Sequence, residues 1–285
     1  MLSDRVRLEE YEFTKEAIHA LRSVYWAEPL LRRVAQARCL LEPETKPLMF
    51  EVRVAFELHR ARVVAEYEYP TGIGGSSVDF RISGSPEWLI EIVSIRASIA
   101  VQRATTQAGI CYTFQMSTNA SEPKQRPEGE LIRVEEKIGE KVQAKDGSPT
   151  KFPLPNGAMH ISLVDMRGYL DGGGHKNAYR QIAYGGHDPI VNREWVGESW
   201  QRPSGKRELI KGLFESSNTR PAARLVQERI HFLGFINERK YREGEIRIPN
   251  PDIMYYLANP HLFSTEAEAE EVFASYPLRA KPTVL

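Results

Sequence analysis

At 285 residues, with 41% hydrophobic and 27% charged positions, the chain can bury a sizeable core and is not composed like a disordered one. Lys plus Arg and Asp plus Glu each number 38, so the formal net charge is zero. That balance speaks against a protein that coats nucleic acid non-specifically, yet it allows an enzyme with a local basic groove.

No apolar run approaches the roughly 20 residues of a membrane span, and the first residues, MLSDRVRLEEYEF, lack an apolar signal core. The expectation is a cytoplasmic protein without a membrane part. Cys39 and Cys111 sit in apolar surroundings and are expected to be reduced. Neither Cys nor His residues have zinc-ligand spacing, and no internal repeat or low-complexity tract is present.

Taken in order, residues 9–41 read as one or two amphipathic helices, with Tyr11, Ile18, Leu21 and Val24 on one stripe and Leu30, Leu31, Val34 and Leu40 continuing it. Past Pro47, Phe50, Val54, Leu58 and Ala61 recur at helical spacing and predict a helix over 47–61. The stretch RVVAEYEYP predicts a strand that ends at Pro70 and the turn Thr71 to Gly75. A second short strand, SSVDFRIS, stops before Gly84 and Pro86. EWLIEIVSI, with its nearly unbroken apolar run, predicts a central strand.

Residues 96–128 give no clear pattern. Leu131, Val134, Ile138 and Val142 form one face of a helix expected over 129–145, and 158–167 reads as a further buried strand. Later signals are Gly172 to Gly174, a loop with Trp195, Trp200 and Arg202, an apolar strand at 229–236, and a last helix near 266–275 behind a Thr265–Glu268 capping box. The middle of the chain thus reads helix, three strands, helix, strand, the order of an α/β domain with a mixed sheet.

The chemistry is concentrated at Val78-Asp79-Phe80 and Ile90-Glu91-Ile92, where single acids interrupt apolar strands. A buried carboxylate costs several kcal/mol unless it is paired or bound to a cation. On consecutive strands two such acids can converge on one face, where hard divalent ions are held by carboxylates and phosphate oxygens. The competing arrangement has both acids turned outward or paired with Arg53, Arg81 or Arg96.

The same set resembles the core of the PD-(D/E)xK nuclease superfamily: Glu51 on a helix, Asp79 and Glu91 on the second and third strands, then a helix and a strand. The resemblance covers about residues 47–167. It implies a restriction-endonuclease-like αβββαβ core, with 1–46 as an N-terminal helical extension and 168–285 as a C-terminal extension packed on that core. It also implies Mg²⁺- or Mn²⁺-dependent cleavage of nucleic acid, DNA above all. Asp79 and Glu91 would bind the metal, and Glu51 rather than Glu57 would be the helix acid.

The family's usual lysine two positions after the second acid is replaced here by Val93. The cation must then come from elsewhere, and on the helical wheel Lys141 lies closer than Lys137 to the buried face. A catalytically silent nuclease-like domain that binds nucleic acid or a protein partner is the alternative. The helices before residue 43 and the segment after 228 offer a surface for a homodimer. GIGGSS over 72–77 reads as a hairpin loop rather than a phosphate cradle, and His160 and His231 as core residues. Gly172 to Gly174 with His175 and His187 reads either as a lid over the site or as a connector.

Overall fold

A computed structural model describes residues 8–37, 40, 42–108, 111–114, 127–167, 176–185, 210–236 and 254–279. The sequence signals at Cys39, Gly172 to Gly174, His175, His187, Trp195, Trp200 and Arg202 lie outside these residues. Helices α1 (Leu8–Leu21), α2 (Glu28–Gln36) and α3 (Lys46–Arg60) come first, the last opened by a proline in its first turn. That position suits proline, because an early helical N–H has no partner inside the helix. Strands β1 (Glu66–Pro70), β2 (Ser77–Ile82) and β3 (Glu87–Ser94) follow. A short α4 (Ile99–Ala104) leads into a separate hairpin, β4 (Thr105–Ala108) and β5 (Cys111–Phe114), in the stretch where the sequence gives no pattern.

The chain continues with α5 (Pro127–Gly139), β6 (Ala158–Asp165), α6 (Lys176–Tyr184), α7 (Pro221–Arg229), β7 (Phe232–Ile236), β8 (Met254–Ala258) and α8 (Glu266–Ala274). One open, mixed sheet of six strands runs β1-β2-β3-β6-β7-β8. Its centre, β3, β6 and β7, is parallel, and the flanking pairs are antiparallel. The burial follows this arrangement. β7 is buried at every residue and β3 at all but its ends, whereas β2 alternates. Parallel strands covered on both faces need continuous apolar runs, and strands nearer an edge do not.

Two apolar layers cover the sheet. On one face Phe50, Val54 and Leu58 of α3 and Phe273 of α8 pack with Phe80, Ile90, Ile92 and Phe232. On the other, Leu131, Val134 and Ile138 of α5, Ile182 of α6 and Val226 of α7 pack against Leu89, Val93, Val164 and Leu233. His160 and His231 belong to the interior, as expected. The His160 main-chain N–H donates to His231 Nδ1 at 3.0 Å, and burial holds the two rings down to about 4 and about 3. At α8 the Glu268 N–H donates to Thr265 Oγ1 at 3.1 Å, while the Glu268 carboxylate accepts the Ser264 N–H, one residue ahead of the capping box the sequence predicts.

The end of α5 sets the position of Lys141. The helix expected to reach Lys145 ends at Gly139. From there the chain tightens, with Lys141 N–H donating to Ile138 O and Val142 N–H to Gly139 O, each at 3.0 Å. A Cβ at Gly139 would stand 3.0 Å from the Ala222 side chain, so α7 packs closely against this end. Lys141 therefore leaves from a turn, not from a helix face. Among the described residues no helix is long and apolar enough to cross a membrane.

Candidate functional site

The sheet's hydrogen-bond ladders break along one row. β1 and β2 pair at Tyr67 with Phe80 and at Tyr69 with Val78, which leaves Glu68 opposite Asp79 without a ladder pair. Glu68 sits at φ 51°, in the left-handed region. For a non-glycine residue within a strand that costs about 1–2 kcal/mol, and such strain gathers at functional sites. β2 and β3 pair from Ile82 with Trp88 up to Phe80 with Ile90. The next step would set Asp79 against Glu91, but there the Asp79 carboxylate takes over from the backbone and accepts the Ile92 N–H at 2.6 Å. Glu91 then pairs in parallel register with Ser162 of β6, whose buried hydroxyl has no hydrogen-bond partner among the described residues. Glu68, Asp79, Glu91 and Ser162 thus form a polar row across β1, β2, β3 and β6.

Glu91 is fully buried, and two cations meet it. Lys141 Nζ donates to Oε1 at 2.8 Å, and Lys151 Nζ donates to Oε2 at 2.9 Å. Lys151 is fastened at several points. Its main-chain N–H donates to Ser76 Oγ at 2.7 Å, its Nζ also donates to Ser77 O at 3.0 Å, and its φ of 62° is again left-handed. The GIGGSS segment is a hairpin loop, as the sequence suggests, and its end forms this anchor for Lys151. Val93 packs in the apolar layer beside α5. Two lysines from the segment after α5 thus reach the second acid from outside its own strand.

Glu51, on the inner side of α3, is 7% exposed and completes the group. Burial, and then the negative charge of Asp79, pushes its carboxyl up to about 7, against the pull of Tyr67, Arg33 and Lys141. Asp79 is also raised to about 7, by burial and by Glu91, against Lys141, the Ile92 N–H and Lys151. Lys141 responds in the opposite sense. Burial alone would lower it, but Glu91, Asp79 and Glu51 outweigh that and hold it above its ordinary value. These mutual effects put the acids of residues 51, 79 and 91 and the Lys141 amine in one electrostatic unit.

At the rim, Arg33 of α2 lies 3.0 Å from Glu51 Oε2 and 3.1 Å from Glu68 Oε1 through the same Nη1. The Tyr67 hydroxyl accepts from that nitrogen and donates to Glu51. The sequence reading singles out Asp79, Glu91, Glu51 and Lys141, and the fold brings all four together. Of the competing cations, Arg81 donates to Glu87 at 2.7 Å and to Glu66 at 2.7 Å, and Lys137 pairs with Glu140 on the surface. Lys151, Arg33 and Tyr67 escape the sequence reading. The one available signal for Lys151 was a lone cation set into the turn-rich stretch GSPTKFPLP between a helix and a strand.

Among the described residues no group of three or more His, Cys, Asp and Glu side chains is arranged to hold a metal ion. The lysines occupy Glu91, and Arg33 and Tyr67 occupy one oxygen of Glu51. No hydrogen bond to Asp79 Oδ1 or Glu51 Oε1 is made within the described residues. The donor set is all carboxylate oxygen, the chemistry that suits Mg²⁺ or Mn²⁺ rather than zinc. Comparison with protein-family models, with curated proteins and with solved structures finds no match to this chain.

Proposed function

We propose that this chain is a divalent-metal-dependent phosphodiesterase acting on nucleic acid, DNA above all, built on a restriction-endonuclease-like core of the PD-(D/E)xK kind. The element order supports the reading. Among the described residues α3, β1, β2, β3, α5 and β6 follow one another as helix, three strands, helix, strand, interrupted only by α4 and its hairpin. The observation that carries it is the buried Glu91 carboxylate, held between Lys141 and Lys151 and beside Asp79.

Asp79, Glu91 and Glu51 are the residues that would hold Mg²⁺ or Mn²⁺. When bound, the ion polarises a phosphoryl oxygen and makes water a better nucleophile near neutral pH. Asp79 and Glu51 suit that partner, since burial and a neighbouring acid raise each carboxyl to about 7 despite the cations nearby, a cost that a bound divalent ion would relieve. Lys141 and Lys151, both donating to Glu91, would supply the positive charge that Val93 cannot, of the kind that stabilises negative charge growing on a phosphate during hydrolysis. Lys151, with both its backbone and its amine tethered, keeps that charge in place without reorganisation.

The test is Mg²⁺- and Mn²⁺-dependent cleavage of plasmid and linear DNA by the wild type, Asp79→Ala and Glu91→Ala, with circular dichroism as the control for folding. At least a 100-fold loss in both variants is the expected result, and undiminished cleavage by both discards the site. Val93 favours one other reading, a silent domain that binds nucleic acid or a protein. An intact wild type that takes up no Mn²⁺ at millimolar concentration and cuts nothing would select that reading.

A further inference from the structure

We propose that a second site, a cavity beside the turn between β2 and β3, binds a nucleoside monophosphate through Arg62 and Arg279. The cavity, of about 560 Å³, lies where the link from α3 to β1, the β2–β3 turn and the end of α8 meet. That volume falls in the range of small-molecule pockets. The register pair Ile82 and Trp88 belongs to its wall, whereas Glu51, Asp79 and Glu91 do not. Asp79 and Glu91 lie three residues further along the same strands, ~10 Å away at the usual rise of a strand. The proposal therefore does not rest on the metal-dependent reading of the acids.

Three arginines, Arg62, Arg81 and Arg279, line the cavity with one acid, Glu66. Arg81 is taken up by Glu66 and Glu87. Arg62 and Arg279 make no ion pair among the described residues, and Arg279 reaches only the Glu270 carbonyl, at 3.5 Å. A guanidinium presents a planar fork of donors that matches phosphate oxygens. The backbone at Arg62 is itself unusual. α3 ends with the Arg62 N–H donating to His59 O and the Val63 N–H to Leu58 O, each at 2.9 Å, and Arg62 sits at φ 59°. Helices that end in this way most often place glycine at the left-handed position. An arginine there carries strain that glycine would avoid, and such strain gathers at functional sites.

The buried wall supplies a different chemistry. Trp88 and Tyr276 both line the cavity, at 1% and 2% exposure, with ring centroids 4.9 Å apart. Neither Trp88 Nε1 nor the Tyr276 hydroxyl has a hydrogen-bond partner among the described residues. Buried polar groups ordinarily find one. An indole N–H donates, and a phenol both donates and accepts, which together suit the nitrogen and oxygen edge of a nucleobase. Ile82, Pro86 and Pro277 add apolar surface for its faces. A ligand that meets both halves has a doubly charged phosphate end for the arginines and a flat, hydrogen-bonding end for the two rings, which is the make-up of a nucleoside monophosphate.

The experiment is calorimetric titration of the full-length protein, in EDTA, with the common ribonucleoside 5′-monophosphates, adenosine and inorganic phosphate. At least one nucleotide is expected to bind in the sub-millimolar range, at least 10-fold tighter than adenosine or phosphate. Arg62→Gly should weaken it at least 10-fold while melting no lower than the wild type, because glycine relieves the left-handed backbone. Arg279→Met should weaken it similarly, and Asp79→Ala should leave it unchanged. A 5′-phosphorylated trinucleotide separates the two sources of the ligand: equal affinity assigns the site to the end of a strand, and weaker affinity to a free nucleotide. The proposal is overturned if no nucleotide binds at millimolar concentration, if phosphate alone binds as tightly, or if both arginine variants bind like the wild type. Loss of binding in Asp79→Ala would move the ligand to the acids and overturn it as well.

Discussion

Replacing Lys151 by methionine keeps the bulk of the side chain and removes its charge, which isolates what the amine does. The Nζ donates to Glu91 at 2.9 Å and to Ser77 O at 3.0 Å, with the side chain 23% exposed. Hydrogen bonds to charged groups contribute about 1.5–3 kcal/mol, and Glu91, fully buried, keeps Lys141 as a remaining partner. The expected loss is therefore ~2 kcal/mol. At ~2–4 °C per kcal/mol for a chain of this class, the midpoint of thermal unfolding in EDTA should fall by ~4–8 °C.

Lys151→Gly separates the side chain from the backbone. Beside Lys151→Ala it loses the same stem and amine, but it alone relieves the left-handed φ of 62°, a strain of about 1–2 kcal/mol, offset by the ~0.5–1 kcal/mol of extra chain entropy that glycine brings. The glycine variant should therefore melt above the alanine one. Adding Mg²⁺ should recover part of the loss in both, because it returns positive charge to Glu91 and Asp79. If Lys151→Met melts within a degree of the wild type, or Lys151→Gly melts below Lys151→Ala, the account of this residue as a strained, charge-bearing anchor is wrong.

Two further predictions concern pH and packing. His160 and His231 are held below their ordinary value, so the folded protein binds fewer protons than the unfolded one from about 6.5 downward, and their contribution to stability is lost as pH falls through that window. Asp79 and Glu51 are raised, so they contribute the opposite slope, favouring the fold at low pH and losing that contribution as pH rises through about 7. Asp79→Asn removes one opposing group. Its urea unfolding midpoint should climb more steeply than the wild type's between about pH 4.5 and 6.5, and an equal or shallower slope would contradict these assignments. At Gly212 an added Cβ would fall inside the main chain of Gly185 and Tyr184, which cannot yield as a flexible side chain can. Gly212→Ala should cost at least ~3 kcal/mol, read as a drop in the denaturation midpoint, and a neutral effect would mean that this loop rearranges freely.

By itself the sequence determined the pieces whose signal is local. The continuous apolar run of β3, the helical stripe of α3 and the Thr265 cap arise from burial and capping within a few residues of each position. Asp79 and Glu91 were legible for the same reason, because an acid alone in an apolar strand must find a cation or remain costly. The strand order β1-β2-β3-β6-β7-β8 was not legible, since pairing partners far apart in the chain leave no mark in either segment. The cations were only partly so. Lys141 was found from a helical wheel although its helix stops at Gly139, and Lys151 and Arg33 were not found at all. A lysine or arginine carries its charge several ångströms from its backbone on a flexible stem, so where that charge acts depends on which elements the fold brings within reach. Here it was the tertiary structure that brought a turn after α5, a loop before β6 and the helix α2 to the same row of acids.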